Sequence, residues 1–137
     1  QYMVKNVCSI KGVYMPFVNT GDLPRLELFP GIVGALASGE NMMLSFLEME
    51  QGAEVAEHSH PHEQAGLVLV GRLRFRIGEE ESIASPGDAF IIPSNVVHWG
   101  VVEEGPAKVL DIFAPPREDY VEQYNRHAKT GEDTVWK

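Results

Sequence analysis

Three histidines and one glutamine, placed on two segments of the chain, have the types and spacing that metal chemistry requires. His58 and His60 are two residues apart, Gln64 follows after a bend, and His98 comes from a later segment. On a strand, residues two apart project to the same face, so the first two rings can share one ion. Imidazole nitrogens and an amide oxygen suit Ni, Zn, Fe and Co, and the oxygen also suits Mn. We therefore predict one divalent metal ion, of one of these five elements, held by these four residues.

The predicted ligands are all uncharged, which has a consequence for reactivity. The ion keeps its full double charge, acts as a stronger Lewis acid and favours an anionic substrate. Open coordination positions for water or substrate are expected, as at catalytic sites generally. The alternative is that these histidines are surface or turn residues. We expect His62 to lie behind the ligands or at the surface, and Glu63 to face away from Gln64.

Charge and composition limit the classes of partner. Eleven Lys and Arg residues against twenty Asp and Glu residues give a formal charge of −9, which argues against nucleic acid. An anionic ligand would need a local cation. The single cysteine, Cys8, is expected to be a buried apolar residue. Because no apolar run approaches 18 residues and no signal peptide is evident, we expect a soluble cytoplasmic protein without a membrane partner.

The chain between about residues 26 and 114 has the pattern of short strands separated by Gly, Pro and acidic turns. Such strands, recurring every 8 to 12 residues, indicate a sandwich or barrel. Residues 72–77 alternate most cleanly, with three arginines directed outward to a solvated face. Gly71 and residues 103–106 are expected to separate consecutive strands. The predicted strands are 43–50, 54–60, 64–70, 72–77, 89–92, 98–102 and 108–114.

The two ends of the chain are patterned differently from its middle. Residues 1–30 contain three prolines and are interpreted as an extended arm and edge strand. Residues 118–129 have apolar positions at helical spacing, which predicts a short amphipathic helix that caps the barrel. His127 is expected at the surface of that helix. We predict a single domain over residues 1–137, with its barrel core at 40–114.

Two glycine-bounded motifs resemble the two motifs of the cupins, which are small all-β jelly-roll barrels, also described as a double-stranded β-helix. The motifs are Gly52-x5-His58-x-His60-x3-Gln64-x6-Gly71 and Gly87-x5-Pro93-x-Asn95-x2-His98. Gln64 replaces the usual Glu, Asn95 replaces a usual Gly, and Val102 replaces a frequent Asn. Asn tolerates left-handed backbone, so the turn at Asn95 can be kept. The resemblance implies a single-domain cupin that commonly forms homodimers through edge strands.

A second resemblance indicates a smaller group within the cupins. The segment His-Ser-His-Pro-His-Glu-Gln, together with residues 110–120, resembles KdgF-type cupins of pectin and alginate breakdown. Those proteins convert 4,5-unsaturated monouronates to linear keto forms, with a metal held by three His and one Gln. The resemblance implies a small anionic sugar-acid substrate. It also implies that Asp111 is the acid/base, that Arg117 grips the substrate carboxylate and that Phe113 packs against the ring.

The residues alone leave these roles open. Asp111 shares a strand face with Phe113, and a carboxylate inside a barrel needs a partner or a catalytic role. Asp111 could instead accept hydrogen bonds from a turn or form an ion pair. Phe113 could be a core residue, and Arg117 could be a solvated surface residue. The protein could also be a non-catalytic sugar-acid-binding cupin, or a different cupin enzyme such as a dioxygenase or a sugar isomerase.

Overall fold

The computed structural model describes residues 9–10, 13–14 and 16–130, and within them the chain forms ten strands and one α-helix. Cys8 and the side chain of His127 lie outside the described residues. A short 3₁₀ turn at Thr20–Asp22 precedes the main sheet. The elements are β1 (Ser9–Ile10), β2 (Val13–Tyr14), β3 (Leu26–Phe29), β4 (Ile32–Ser38), β5 (Met43–Met49), β6 (Glu54–His58), β7 (Glu63–Ile77), β8 (Glu80–Ala84), β9 (Ala89–Ile92), β10 (His98–Ala114) and α1 (Glu118–Thr130).

Two long strands, β7 and β10, organise the fold because they pair with each other along most of their length. The second half of β10 also pairs with β5, and the first half of β7 pairs with β9, which gives the strand order β3-β4-β5-β10-β7-β9. The first half of β10 pairs with β6, and the second half of β7 pairs with β8, which gives β6-β10-β7-β8. All these pairs are antiparallel. The predicted all-β architecture with one short C-terminal helix is confirmed.

The predicted boundaries of β7 and β10 are wrong, because the sequence pattern predicted two separate strands in place of each long one. Gly71 adopts a left-handed φ of 83° and lies inside β7, and residues 103–106 lie inside β10. The register between the two strands shifts at Glu104 and again before Lys108. The Gly and Pro residues therefore mark a bulge and a bend in continuous strands.

The sheet begins at Leu26, before residue 40, where the core was expected to start. Strand β3 is an edge strand, and β4 is a strand that the sequence pattern did not reveal. Four consecutive residues of β4, from Ala35 to Ser38, are buried. A strand covered on both faces shows no alternation of apolar and polar residues, which explains why it was missed.

The helix α1 packs against one end of the barrel. Its residues Tyr120, Val121 and Tyr124 join a buried cluster with Met43 and Phe113. This packing brings the start of the helix next to the inner face of β10. No helix in the described part of the chain has the length and apolarity that a membrane span requires.

The arginine stripe of β7 lies on the outside of the sheet, as expected. Arg72 pairs with Glu104, Arg76 pairs with Glu57, and Arg74 bonds two further glutamates. These pairs are largely exposed, so each contributes little to stability.

Candidate metal centre and adjoining cavity

Three histidine rings converge at one point inside the barrel. In the ladder of β6 and β10, His58 lies directly opposite His98. Their ring centroids are 4.2 Å apart, and those of His60 and His98 are 4.9 Å apart. One nitrogen from each of the three rings lies within 4.8 Å of the others. Three rings at this spacing could hold a single metal ion.

His60 reaches this point by a different route from the one predicted. Strand β6 ends at His58, so His60 lies in the bend that follows and not on the strand. Its carbonyl accepts a hydrogen bond of 2.8 Å from the backbone N–H of Asn95. Asn95 adopts the left-handed φ of 66° that its place in the second motif requires. The bend between β6 and β7, held by the second motif, therefore directs the His60 ring.

In each of the three rings, Nδ1 forms a hydrogen bond with a backbone carbonyl oxygen. The bonds run from His58 to Ala56 (2.8 Å), from His60 to His62 (3.1 Å) and from His98 to Val96 (2.9 Å). Because a carbonyl can only accept, each Nδ1 carries the proton and each Nε2 keeps a lone pair. This tautomer is the one that binds a metal through Nε2, with the backbone fixing the ring.

Gln64 adds an oxygen donor to the same point. Its Oε1 lies 3.1 Å from Nε2 of His60, and its side chain interacts with Asp111 so as to lower the pKa of that carboxyl group. Because a carboxylate can only accept hydrogen bonds, the NH₂ end of the amide suits Asp111 and the oxygen faces His60. Two lone pairs then face each other at 3.1 Å, an arrangement that a shared cation stabilises. The geometry therefore fits a metal ion bound by both residues.

Burial favours the uncharged form of His60 and His98, which is the form that binds a cation. Among residues 16–130, no group forms a hydrogen bond with the buried Nε2 of His98. Burial lowers the pKa of His98 to about 4, and burial followed by the charge of Arg117 lowers the pKa of His60. Both rings are thus neutral at physiological pH, the state in which imidazole binds metals. The donor set of three imidazoles and one amide oxygen fits a divalent ion.

Asp111 lies inside the barrel beside these residues. It is 6% exposed and is opposite Ser45 of β5 and Gly66 of β7. Burial raises the pKa of Asp111 to about 7, although the hydrogen bond from Gln64 and the charge of Arg117 oppose the shift. A carboxyl group with this pKa can both take up and release a proton near neutral pH.

Arg117 is buried, with 8% exposure, so its interpretation as a solvated residue is wrong. Its Nε and Nη2 donate to the two carboxylate oxygens of Asp119 at 3.0 and 2.7 Å. Its guanidinium carbon lies 4.1 Å from the ring centroid of Tyr120. Burial tends to lower the pKa of Arg117, but the hydrogen bonds that Arg117 donates to Asp119, together with its interactions with Tyr120, outweigh burial and raise the pKa. The guanidinium is therefore a buried cation that Asp119 and Tyr120 hold in place.

Phe113 lies between the histidines and the helix. It is 2% exposed, and its ring centroid is 5.8 Å from those of His60 and Tyr120, in edge-on contact with both. It belongs to the apolar cluster under α1 and also lines the cavity described next. Phe113 is therefore a core residue that also lines the cavity, and its position is compatible with both alternatives.

One cavity joins the predicted site residues. Its solvent-accessible volume is about 50 Å³. Six of the seven predicted site residues line it, and His60 contacts it only through its neighbours Gln64, His98 and Phe113. The six are His58, Gln64, His98, Asp111, Phe113 and Arg117.

The sequence analysis missed three residues of this region. Ser45 and Tyr120 line the cavity, and Asp119 orients Arg117. A signal for Ser45 was present, since it is the one polar residue at the inward positions of β5 between Met43 and Met49. The sequence pattern marked Tyr120 only as an apolar position of the predicted helix, and it indicated no contact of Asp119 or Tyr120 with Arg117, because those contacts depend on where α1 begins.

His62 is buried behind the metal ligands, so the surface alternative is wrong for it. It is 6% exposed, and its Nε2 lies 2.6 Å from Oε1 of Glu118 in α1. The bend that carries His60 is therefore connected to the first turn of the helix. Glu63 is exposed, in agreement with the expectation that it is not a ligand.

Comparisons with known proteins agree with this geometry. The profile of the cupin domain matches residues 45–113. The pectin degradation protein KdgF of Dickeya dadantii (strain 3937) is 28% identical over 102 residues, which are 73% of this chain and 93% of that protein. The structure of KdgF from Halomonas sp. is 29% identical, with a TM-score of 0.72 over 76% of this chain and 96% of that chain. An RmlC-like cupin from Shewanella frigidimarina NCIMB 400 shares the fold, with 24% identity and a TM-score of 0.73 over 77% of this chain and 95% of that chain.

Proposed function

Because this chain belongs to the cupin family and is KdgF-like within it, we propose that it is a metal-dependent enzyme of uronate metabolism. Its substrates would be 4,5-unsaturated monouronates from pectin or alginate, which it converts to linear keto forms by ring opening and ketonisation. The observation that supports this proposal is that the predicted metal ligands His58, Gln64 and His98 line the same cavity as the buried carboxyl of Asp111. A metal ion held by these ligands would supply a Lewis acid in the cavity that also contains the proposed proton-transfer group.

The metal would be held by His58, His60, Gln64 and His98. Their nitrogen and oxygen donors suit Ni, Zn, Mn, Fe or Co. When bound, the ion would supply positive charge that stabilises negative charge developing on the substrate oxygens. The backbone carbonyls that fix the three rings would keep the donors in place.

Asp111 would move the proton in both steps. As a carboxylate it takes the proton of the C1 hydroxyl, the bond between C1 and the ring oxygen breaks, and C1 becomes an aldehyde. The electron pair of the broken bond remains on the former ring oxygen as an enolate. The protonated Asp111 then delivers the proton to C4, and C5 becomes a ketone. The reaction is an isomerisation without net gain or loss of atoms, and a pKa of about 7 supports both roles.

Arg117 and Phe113 would bind and orient the substrate. Nη1 of Arg117 can donate to the substrate carboxylate while Nε and Nη2 remain on Asp119. This buried cation is the local positive charge that an anionic ligand needs in a protein with a net charge of −9. The ring of Phe113 would provide an apolar contact for the sugar ring.

The proposal is tested by incubating the protein with unsaturated galacturonate and recording NMR spectra. We expect the linear keto product to form faster than in the protein-free control, and we expect a chelator to abolish the difference. Shifts of substrate signals without product growth would favour the non-catalytic sugar-acid-binding alternative.

We also propose a homodimer formed through a sheet edge. Strand β9 pairs only with β7 in the described part of the chain, and Ile91 and Leu69 expose 59% and 49% of their surface there. Light scattering during size-exclusion chromatography should give twice the chain mass of 15.2 kDa. The mass of a single chain would contradict this assembly.

A further inference from the structure

We propose that Ser45 and Asp111 together bind one hydroxyl group of the substrate, the one at C1; this inference rests on the proposed function. Ser45 is 1% exposed, and its Oγ has no hydrogen-bond partner among residues 16–130. The same holds for Oδ1 of Asp111, which is also buried. Two polar atoms are thus buried at one place without a protein group to satisfy them.

The pairing of the strands brings these two side chains together. In the antiparallel ladder of β5 and β10, Ser45 is directly opposite Asp111. Residues in such a pair project to the same face, with Cβ atoms about 4.5–5.5 Å apart. Both line the cavity that also contains Gln64 and His98. A ligand atom in the cavity can therefore approach both groups.

The donor and acceptor properties of the pair select the kind of ligand group. The hydroxyl of Ser45 can donate, whereas a carboxylate of Asp111 can only accept. A ligand group that satisfies both must accept one hydrogen bond and donate another, which a hydroxyl does and a carbonyl does not. In the proposed reaction Asp111 removes the proton of the C1 hydroxyl. Ser45 would then donate to the C1 oxygen before and after it becomes a carbonyl.

Packing does not explain the hydroxyl of Ser45. A buried hydroxyl without a partner is unfavourable, and alanine would fill nearly the same space. The other inward positions of β5, Met43, Leu47 and Met49, are apolar. Ser38 provides a matched comparison, because it is also 1% exposed but donates a hydrogen bond of 2.9 Å to the carbonyl of Gly39.

The test compares Ser45→Ala with Ser38→Ala in the full metal-loaded protein. Calorimetry measures the binding of galacturonate and of the analogue that lacks only its C1 hydroxyl. For Ser45→Ala we expect galacturonate to bind about tenfold more weakly, while affinity for the analogue changes less than about twofold. Ser38→Ala should leave both affinities unchanged. Thermal unfolding should show no loss of Tm for Ser45→Ala, since no protein hydrogen bond is removed.

Two outcomes would overturn the role of Ser45. One is an equal effect of Ser45→Ala on both ligands, and the other is no effect on either. The turnover of unsaturated galacturonate by the wild type is measured separately. If the wild type converts unsaturated galacturonate but Ser45→Ala does not distinguish the two ligands, only the inference about Ser45 fails. If Ser45→Ala weakens the binding of galacturonate selectively but the wild type does not convert unsaturated galacturonate, the proposed function fails. The binding site for a hydroxyl group at Ser45 and Asp111 is then still supported.

Discussion

Gln64 interacts with both His60 and Asp111: its Oε1 lies 3.1 Å from Nε2 of His60, and its side chain lowers the pKa of the Asp111 carboxyl group. One side chain thus contacts both the histidine cluster and the buried carboxyl. The amide form matters at this position, because a carboxylate has no N–H to donate. Gln in place of the Glu that is common in cupins would therefore suit the proposed proton transfer next to a metal.

The first prediction concerns this amide. We expect Gln64→Glu to bind the divalent ion at least as tightly as the wild type, since it adds a negative donor. Its kcat should fall about 10- to 100-fold, because the ion loses effective charge and Asp111 loses its hydrogen bond. Steady-state kinetics and metal analysis measure both effects. The control is Gln51→Glu, in an exposed turn; an unchanged kcat for Gln64→Glu would contradict the coupling.

The second prediction concerns the proton-transfer group. Asp111→Asn has the same shape but cannot take up or deliver the proton, so kcat should fall about 10²- to 10⁴-fold. Metal content should stay at the wild-type level, because Asp111 is not a predicted ligand. Loss of the unsaturated-uronate absorbance follows the reaction. Asp22→Asn, in the 3₁₀ turn, is the control, and full activity of Asp111→Asn would refute the assignment.

The third prediction concerns the buried cation. Arg117→Lys keeps the charge but loses the planar fork that bonds Asp119, so the remaining donor is no longer fixed. We expect KM for the unsaturated uronate to rise roughly 10- to 100-fold, with unchanged metal content. The matched control is Arg72→Lys, in an exposed pair with Glu104. Equal KM values for the two variants would show that Arg117 does not bind the substrate.

The fourth prediction concerns the bend that shapes the barrel. Gly71 and Gly52 have similar left-handed φ values of 83° and 77°. A Cβ at Gly71 would lie 2.7 Å from the carbonyl oxygen of Glu104, whereas a Cβ at Gly52 would meet no atom within 4 Å. Gly52→Ala should therefore cost only about 1–2 kcal/mol of unfolding free energy. Gly71→Ala should cost roughly 1–3 kcal/mol more, as measured by urea denaturation; equal costs would contradict the close packing at this bend.

The convergence of His58, His60 and His98 was largely predictable because the two motifs carry their own turns. Glycines, Pro93 and Asn95 fix the backbone around the histidines, so local sequence determines where the rings project. The reasoning for His60 was nevertheless incomplete: the ring reaches the site from a bend and not from a strand. Gly71 and residues 103–106 were predicted as breaks because local propensity does not show that two strands bulge together.

The surroundings of the site depend on contacts that the sequence does not contain. The strand Ile32–Ser38 is covered on both faces, so its pattern gave no period. Ser45 is the one polar residue at the inward positions of β5, but its pairing with Asp111 could not be seen in the sequence. Arg117 looked solvated because its burial depends on the packing of the start of α1 against β10, where its guanidinium carbon lies 5.2 Å from the ring centroid of Phe113.

The central claim is that His58, His60, Gln64 and His98 bind one divalent ion together. The most direct measurement is the metal content of chelator-treated protein after dialysis against Ni, Zn, Mn, Fe or Co in turn. We predict about one equivalent of at least one of these ions for the wild type and for His62→Gln, whose side chain is not a ligand. For His98→Ala we predict almost none. A full equivalent in His98→Ala, or none in the wild type with all five ions, would contradict the account.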